Sequence, residues 1–91
     1  MTTAFVMLKT KRGEVAATAE ELMNVEGVTE VYSITGDYDL IAVVRVKSPE
    51  EVADVVTGRL QKVSGILDSN THVAFRVYSK HDLEAAFSLG T

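Results

Sequence analysis

The chain opens on a short apolar run, Ala4-Phe5-Val6-Met7-Leu8-Lys9, made of strand-forming residues. The period then changes, with Val15, Ala19, Leu22 and Met23 recurring at helical spacing. Gly27 is a natural stop for that helix, and the β-branched and aromatic stretch "VTEVYSIT" predicts a second strand over 28–35. A polar break, Gly36-Asp37-Tyr38-Asp39, separates it from a third strand, "DLIAVVRVK". "SPEE" follows, with Ser48 placed as N-cap, Pro49 at the first helical position and Glu51 completing a capping box. The helix it starts aligns Val52, Val55, Val56, Leu60 and Val63 on one stripe, and Gly65 stops it as Gly27 stops the first. A last strand is expected over 71–79, where Val73, Phe75 and Val77 alternate with His72, Ala74 and Arg76.

The predicted order is β-α-β-β-α-β, and its halves echo each other at an offset of 38 residues: Val6 with Val44, Lys9 with Lys47, Leu22 with Leu60, Val25 with Val63, Gly27 with Gly65. Two βαβ units joined by a hairpin give an α+β fold of ferredoxin-like type, a four-stranded antiparallel sheet with both helices on one face. Phe5 to Leu8 and Leu40 to Val44 are apolar at successive positions, so both sides of these strands call for burial. A dimer through the open sheet face is therefore expected. Residues 1–80 form the single domain in this reading. Residues 81–91 form a C-terminal tail, with Asp82 as cap, an apolar trio Leu83, Ala86 and Phe87, and Gly90 as stop, the pattern of a short helix.

Composition narrows the function. With 91 residues there is room for one core, and 46% apolar residues is generous for so small a domain, which again points to an interface. No cysteine is present, which removes disulfides, thiolate metal sites and cysteine nucleophiles and fits a cytoplasmic setting. No apolar run approaches the roughly 20 residues of a membrane helix, and the N-terminus has no signal-peptide pattern. A net charge of −4 argues against direct nucleic-acid binding, and the small cluster Lys9, Lys11, Arg12 reads as a solvated loop. His72 and His81 have no metal-ligand spacing, and no nucleophile–base order or phosphate-binding glycine loop is visible. Neither catalytic residues nor a cofactor or metal are expected.

What remains is the polar break. Gly36-Asp37 suits a two-residue hairpin turn, because glycine tolerates positive φ and the aspartate bonds nearby backbone. A turn gives no reason for Tyr38 and Asp39, and a carboxylate at the head of an apolar strand needs partners. Exposed amides at a glycine turn beside carboxylates have the chemistry to hold the two charged groups of an amino acid.

The stretch "EGVTEVYSITGDYDLIAVVRV…SGILDSNTHVAF" resembles the effector-binding (RAM) domain of the Lrp/AsnC family over nearly the whole chain. The resemblance implies a dimer with facing sheets, assembly into octamers or other rings, and an amino-acid effector bound between dimers at the β2–β3 hairpin. Residue by residue it assigns Thr35, Gly36, Asp37, Tyr38 and Asp39 to the ligand loop and Ser69 and Thr71, on the last strand, to its vicinity. Full-length members begin with a winged helix-turn-helix domain, and this chain starts at the first effector-domain strand, so a stand-alone form is expected, regulating transcription without touching DNA. Co-assembly with a full-length Lrp/AsnC protein is the alternative. An ACT-like regulatory domain has the same strand order but not the Thr-Gly-Asp-Tyr-Asp hairpin. A small dimeric monooxygenase lacks its pocket constellation here.

Overall fold

A computed structural model describes residues 1–80. The tail expected over 81–91 lies outside the described residues. Four strands, β1 (Thr2–Thr10), β2 (Val28–Ser33), β3 (Leu40–Val46) and β4 (Ile66–Val73), form one antiparallel sheet in the order β2-β3-β1-β4. Helix α1 (Val15–Leu22) connects β1 to β2, and α2 (Pro49–Ala53) begins the connection from β3 to β4. This is the ferredoxin-like βαββαβ order.

The two central strands fix which face is buried. Ala4, Val6 and Leu8 of β1 pair with Val44, Ala42 and Leu40 of β3, and all six side chains are inaccessible to solvent. Leu22 of α1, Val52 of α2, and Val55, Leu60 and Val63 beyond it close the core over that face. The alternate residues Phe5, Met7 and Ile41 point to the face that no helix among the described residues covers, where Phe5 is 41% exposed.

Several local expectations change. Helix α1 buries Thr18 and Leu22, with Val15 and Ala19 packed against the core, whereas Met23 is 49% exposed. Positions 15, 18, 19 and 22 are the true stripe. Thr18 belongs to it because its Oγ1 fills the place where a Cβ on residue 65 would stand, a space that only a glycine leaves free. Gly65 is thus a close-approach residue without a positive φ, whereas Gly27 combines the left-handed backbone, at φ 100°, with a close approach of its own: a Cβ there would lie 2.9 Å from Val55 Cγ2.

The second helix starts as expected: Ser48 Oγ accepts from the Glu51 N–H, and Glu51 Oε2 accepts in return from the Lys47 N–H, one residue before the cap. It does not stay α. A π-helical segment, Asp54–Arg59, and a 3-10 turn, Leu60–Lys62, follow α2 without a break. The wider turn accounts for the five-residue step between the buried Val55 and Leu60, which α-helical spacing would instead fill with Arg59.

The last strand is shifted. β4 runs from Ile66 to Val73, not over 71–79, because its partner β1 begins at Thr2; the Ala74 N–H to Thr3 carbonyl bond, 2.8 Å, is its final tie to β1. The polar sequence Asp68-Ser69-Asn70-Thr71 forms strand because the neighbouring backbone needs partners, not because of its own propensity. Phe75, Val77 and Tyr78, expected in the strand, project past the sheet, with Phe75 fully exposed.

Candidate functional site

The β2–β3 connection is a four-residue loop, Thr35–Tyr38, closed by the Ile34 N–H donating to the Asp39 carbonyl at 3.0 Å. The expected two-residue turn is therefore too short, although Gly36 does supply the left-handed backbone, at φ 103°. Nothing lies within 4 Å of a Cβ built on Gly36, so the conformation and not crowding selects glycine there.

Asp39 anchors the loop to β1. Its N–H donates to the Leu8 carbonyl at 2.9 Å, and its Oδ2 accepts from the Thr10 N–H at 2.8 Å and from the Thr10 hydroxyl at 3.3 Å. The partners that an aspartate at the head of an apolar strand requires are thus found within the fold. β1 pairs with β3 only as far as Leu8 and Leu40, so the carboxylate takes over where the β3 backbone stops, satisfying the amide of the buried Thr10. Sequence reasoning missed Thr10, yet a signal was present: 4, 6, 8 and 10 are the buried positions of β1, and only the last is polar.

Tyr38 is the other half-buried loop residue, and Lys9 Nζ sits 5.7 Å from its ring centroid, within cation–π range. Lys9 thereby joins the loop's surroundings. Thr35, Gly36 and Asp37 are exposed, and none of them hydrogen-bonds to another described residue.

Ser69 and Thr71 occupy β4, on the far side of β1. Ser69 pairs with Leu8, itself paired with Leu40, which places Ser69 level with the loop base but two strand spacings away, about 10 Å. Thr71 pairs with Val6 and lies about 7 Å further along the strand. Ser69 lines a pocket of about 200 Å³ with Leu60, Gln61 and Asp68, apart from the loop. Within one chain the structure joins Thr35 to Asp39 into a unit and does not bring Ser69 or Thr71 to it.

A second polar cluster lies on the open face, across the edge strand β2 and its neighbour β3. Arg45 Nη1 donates to Glu30 Oε1 at 2.7 Å and to Thr29 Oγ1 at 3.0 Å, and the Tyr32 hydroxyl donates to Glu30 Oε2. The Tyr32 hydrogen bond, with Arg45 second, holds the Glu30 carboxyl below its usual range, and the same bond raises the Tyr32 phenol. Among the described residues no three acidic or histidine side chains gather where they would hold a metal ion. No helix among them is long and apolar enough to cross a membrane.

Comparison with known proteins agrees with this geometry. Residues 3–83 match the family model of the Lrp/AsnC ligand-binding domain. The HTH-type transcriptional regulator FL11 of Pyrococcus abyssi is 30% identical over 77 residues, 85% of this chain and 50% of that protein. This chain spans about half the length of the curated relatives it matches. Among solved structures, TTHA0845 from Thermus thermophilus superposes with a TM-score of 0.81 at 42% identity, covering 88% of this chain and all of that one. The transcriptional regulator NMB0573 from Neisseria meningitidis, solved as an L-Met complex, shares the fold at a TM-score of 0.76 and 14% identity, over 86% of this chain and 52% of that one. The chain belongs to the Lrp/AsnC ligand-binding domain family.

Proposed function

We propose that this chain is an amino-acid-sensing and oligomerisation domain that works in the cytoplasm and regulates transcription without itself contacting DNA or catalysing a reaction. The observation that carries the reading is the loop Thr35–Tyr38: it is fastened at its base by Asp39, while Thr35, Asp37 and the Gly36 backbone face outward with no partner among the described residues. Such a rim offers a carboxylate to an ammonium and backbone N–H groups to a carboxylate. The L-Met complex of the Neisseria relative supports an amino acid as the class of effector.

A ligand held only at the rim of a loop leaves most of its surface in water, whereas small-molecule sites commonly enclose 70–90% of theirs. A second subunit completes the enclosure, bringing Ser69 and Thr71 of another copy toward the molecule. Binding then favours the larger assembly, because the ligand touches both sides only there. Dimerisation uses the open sheet face, where Phe5, Met7, Ile41 and Tyr32 await cover. Covering the exposed two-fifths of Phe5 alone contributes about 2 kcal/mol per subunit, at roughly 200 Å² for the side chain and ~25 cal/mol per Å².

The test is calorimetric titration of ligand-free protein with each of the twenty amino acids. Saturable heat from one or a few of them is the expected result; no heat from any at millimolar concentration contradicts the reading. The similarity to half of a full-length HTH-type regulator favours a second role, co-assembly with such a protein through the same faces. Co-expression with a full-length family member and a pull-down distinguishes it.

A further inference from the structure

The two aspartates of the loop look equivalent in sequence and are not equivalent in space. Asp39 is half-buried, and its Oδ2 receives both the Thr10 N–H and the Thr10 hydroxyl, while its own amide and carbonyl are bonded to Leu8 and Ile34. Asp37 is exposed and has no hydrogen-bond partner among the described residues. Resting on the effector reading above, we infer that Asp39 and Thr10 are a positioning pair that sets the loop's geometry, and that Asp37 alone is the carboxylate that meets the ammonium of an amino-acid ligand.

The clamp lies at a junction of several elements. Thr10 faces Ile66 at the irregular end of the β1–β4 ladder, and the next amide, that of Lys11, donates to the Gly65 carbonyl at 2.8 Å. Gly65 in turn packs on Thr18 of α1. Asp39 thus ties the loop to the point where β1, β4 and α1 meet, and the loop keeps its shape before any ligand arrives. Preorganisation of this kind lowers the ordering cost of binding.

Charge and hydrogen-bond capacity separate the two roles. An asparagine at 39 still offers an oxygen to Thr10 but presents an amide in place of the second carboxylate oxygen, so Asp39→Asn preserves a clamp and removes an ammonium contact. Asp39→Ala removes both. Asp37→Asn removes only the charge that faces outward. The readouts are affinity for whichever of the twenty amino acids binds the wild type, and hydrogen exchange of the Thr10 amide followed by NMR without ligand.

Asp37→Asn is expected to weaken binding about tenfold or more with Thr10 protection unchanged, and Asp39→Asn to hold affinity within about threefold. Asp39→Ala is expected to lose both affinity and Thr10 protection, each by about tenfold. Loss of binding in Asp39→Asn with the Thr10 amide still protected overturns the assignment, as does unaltered binding in Asp37→Asn. If no amino acid binds the wild type, the effector reading and the role of Asp37 fall together. The clamp is then decided by exchange alone, and an unaltered Thr10 amide in Asp39→Ala refutes it.

Discussion

At Gly65 the main chain of one βαβ unit touches a side chain of the other, and the contact leaves no room for a single added carbon. A methyl there overlaps Thr18 Oγ1 and meets Thr18 Cβ at 3.3 Å, and Thr18 is itself buried. Gly65→Ala is expected to destabilise the fold by about 1–3 kcal/mol, the usual cost of overpacking, and adding Thr18→Ala to recover part of that loss. Urea unfolding of the two single variants and the double variant measures both. The Glu30–Tyr32 pair makes a second prediction. Because the phenol donates to the carboxylate, Tyr32→Phe should move the Glu30 titration up toward the ordinary glutamate range, observed by NMR of the side-chain carboxyl. A depressed carboxyl stabilises the fold above its unfolded-state value and loses that contribution as pH falls through the folded one; the raised Tyr32 phenol acts oppositely, losing its contribution as pH rises past its folded value. Both groups are solvent-exposed, so the titration and not the stability carries the test. Sequence alone exposed neither contact: Thr18 and Gly65 are 47 residues apart, by subtraction of their numbers, and nothing in either residue type announces the meeting.

At the scale of elements, legibility followed the physics that governs each one. The start of α2 is written locally, in Ser48, Pro49 and Glu51, and the structure returns the cap bond from Glu51 N–H to Ser48 Oγ at 3.3 Å. Ser48→Ala should cost about 1 kcal/mol of stability, read from the shift in the thermal or urea transition, since it orphans a helix-end donor. The continuation of that helix was only half legible: the apolar stripe named the buried residues correctly, while the π-helical turn that reconciles Val55 with Leu60 depends on what the sheet offers them. β4 was least legible. Its polar residues form strand because β1 presents unpaired backbone from Thr10 to Ala4, and the apolar alternation that drew attention to 71–79 belongs mostly to residues that leave the sheet. The candidate loop was found by its residue types, but its length was not, since the closing Ile34–Asp39 bond and the Asp39 attachment to β1 are tertiary facts.

For the whole molecule, the unfinished part is the face opposite the helices. Val43 is only 4% exposed there, yet Phe5 and Tyr32 around it stay half open, an apolar surface whose border carries the Arg45–Glu30 pair. A second copy laid on this face removes that surface from water, and a charge placed at its centre opposes the association. Light scattering coupled to size exclusion is expected to give a dimer or larger species for the wild type at micromolar concentration and a monomer for Phe5→Lys, with helix and strand content unaltered by circular dichroism. In the proposed reading the effector site and the assembly are two aspects of one arrangement, because a loop rim on one subunit would become an enclosed site only against another. Sedimentation velocity of the ligand-free protein, alone and then with each amino acid in turn at millimolar concentration, is the sharpest probe of that link. The amino acid that gives calorimetric heat is expected also to shift the population toward a larger species; a bound amino acid that leaves the sedimentation profile unchanged, or a monomer under every condition, contradicts it.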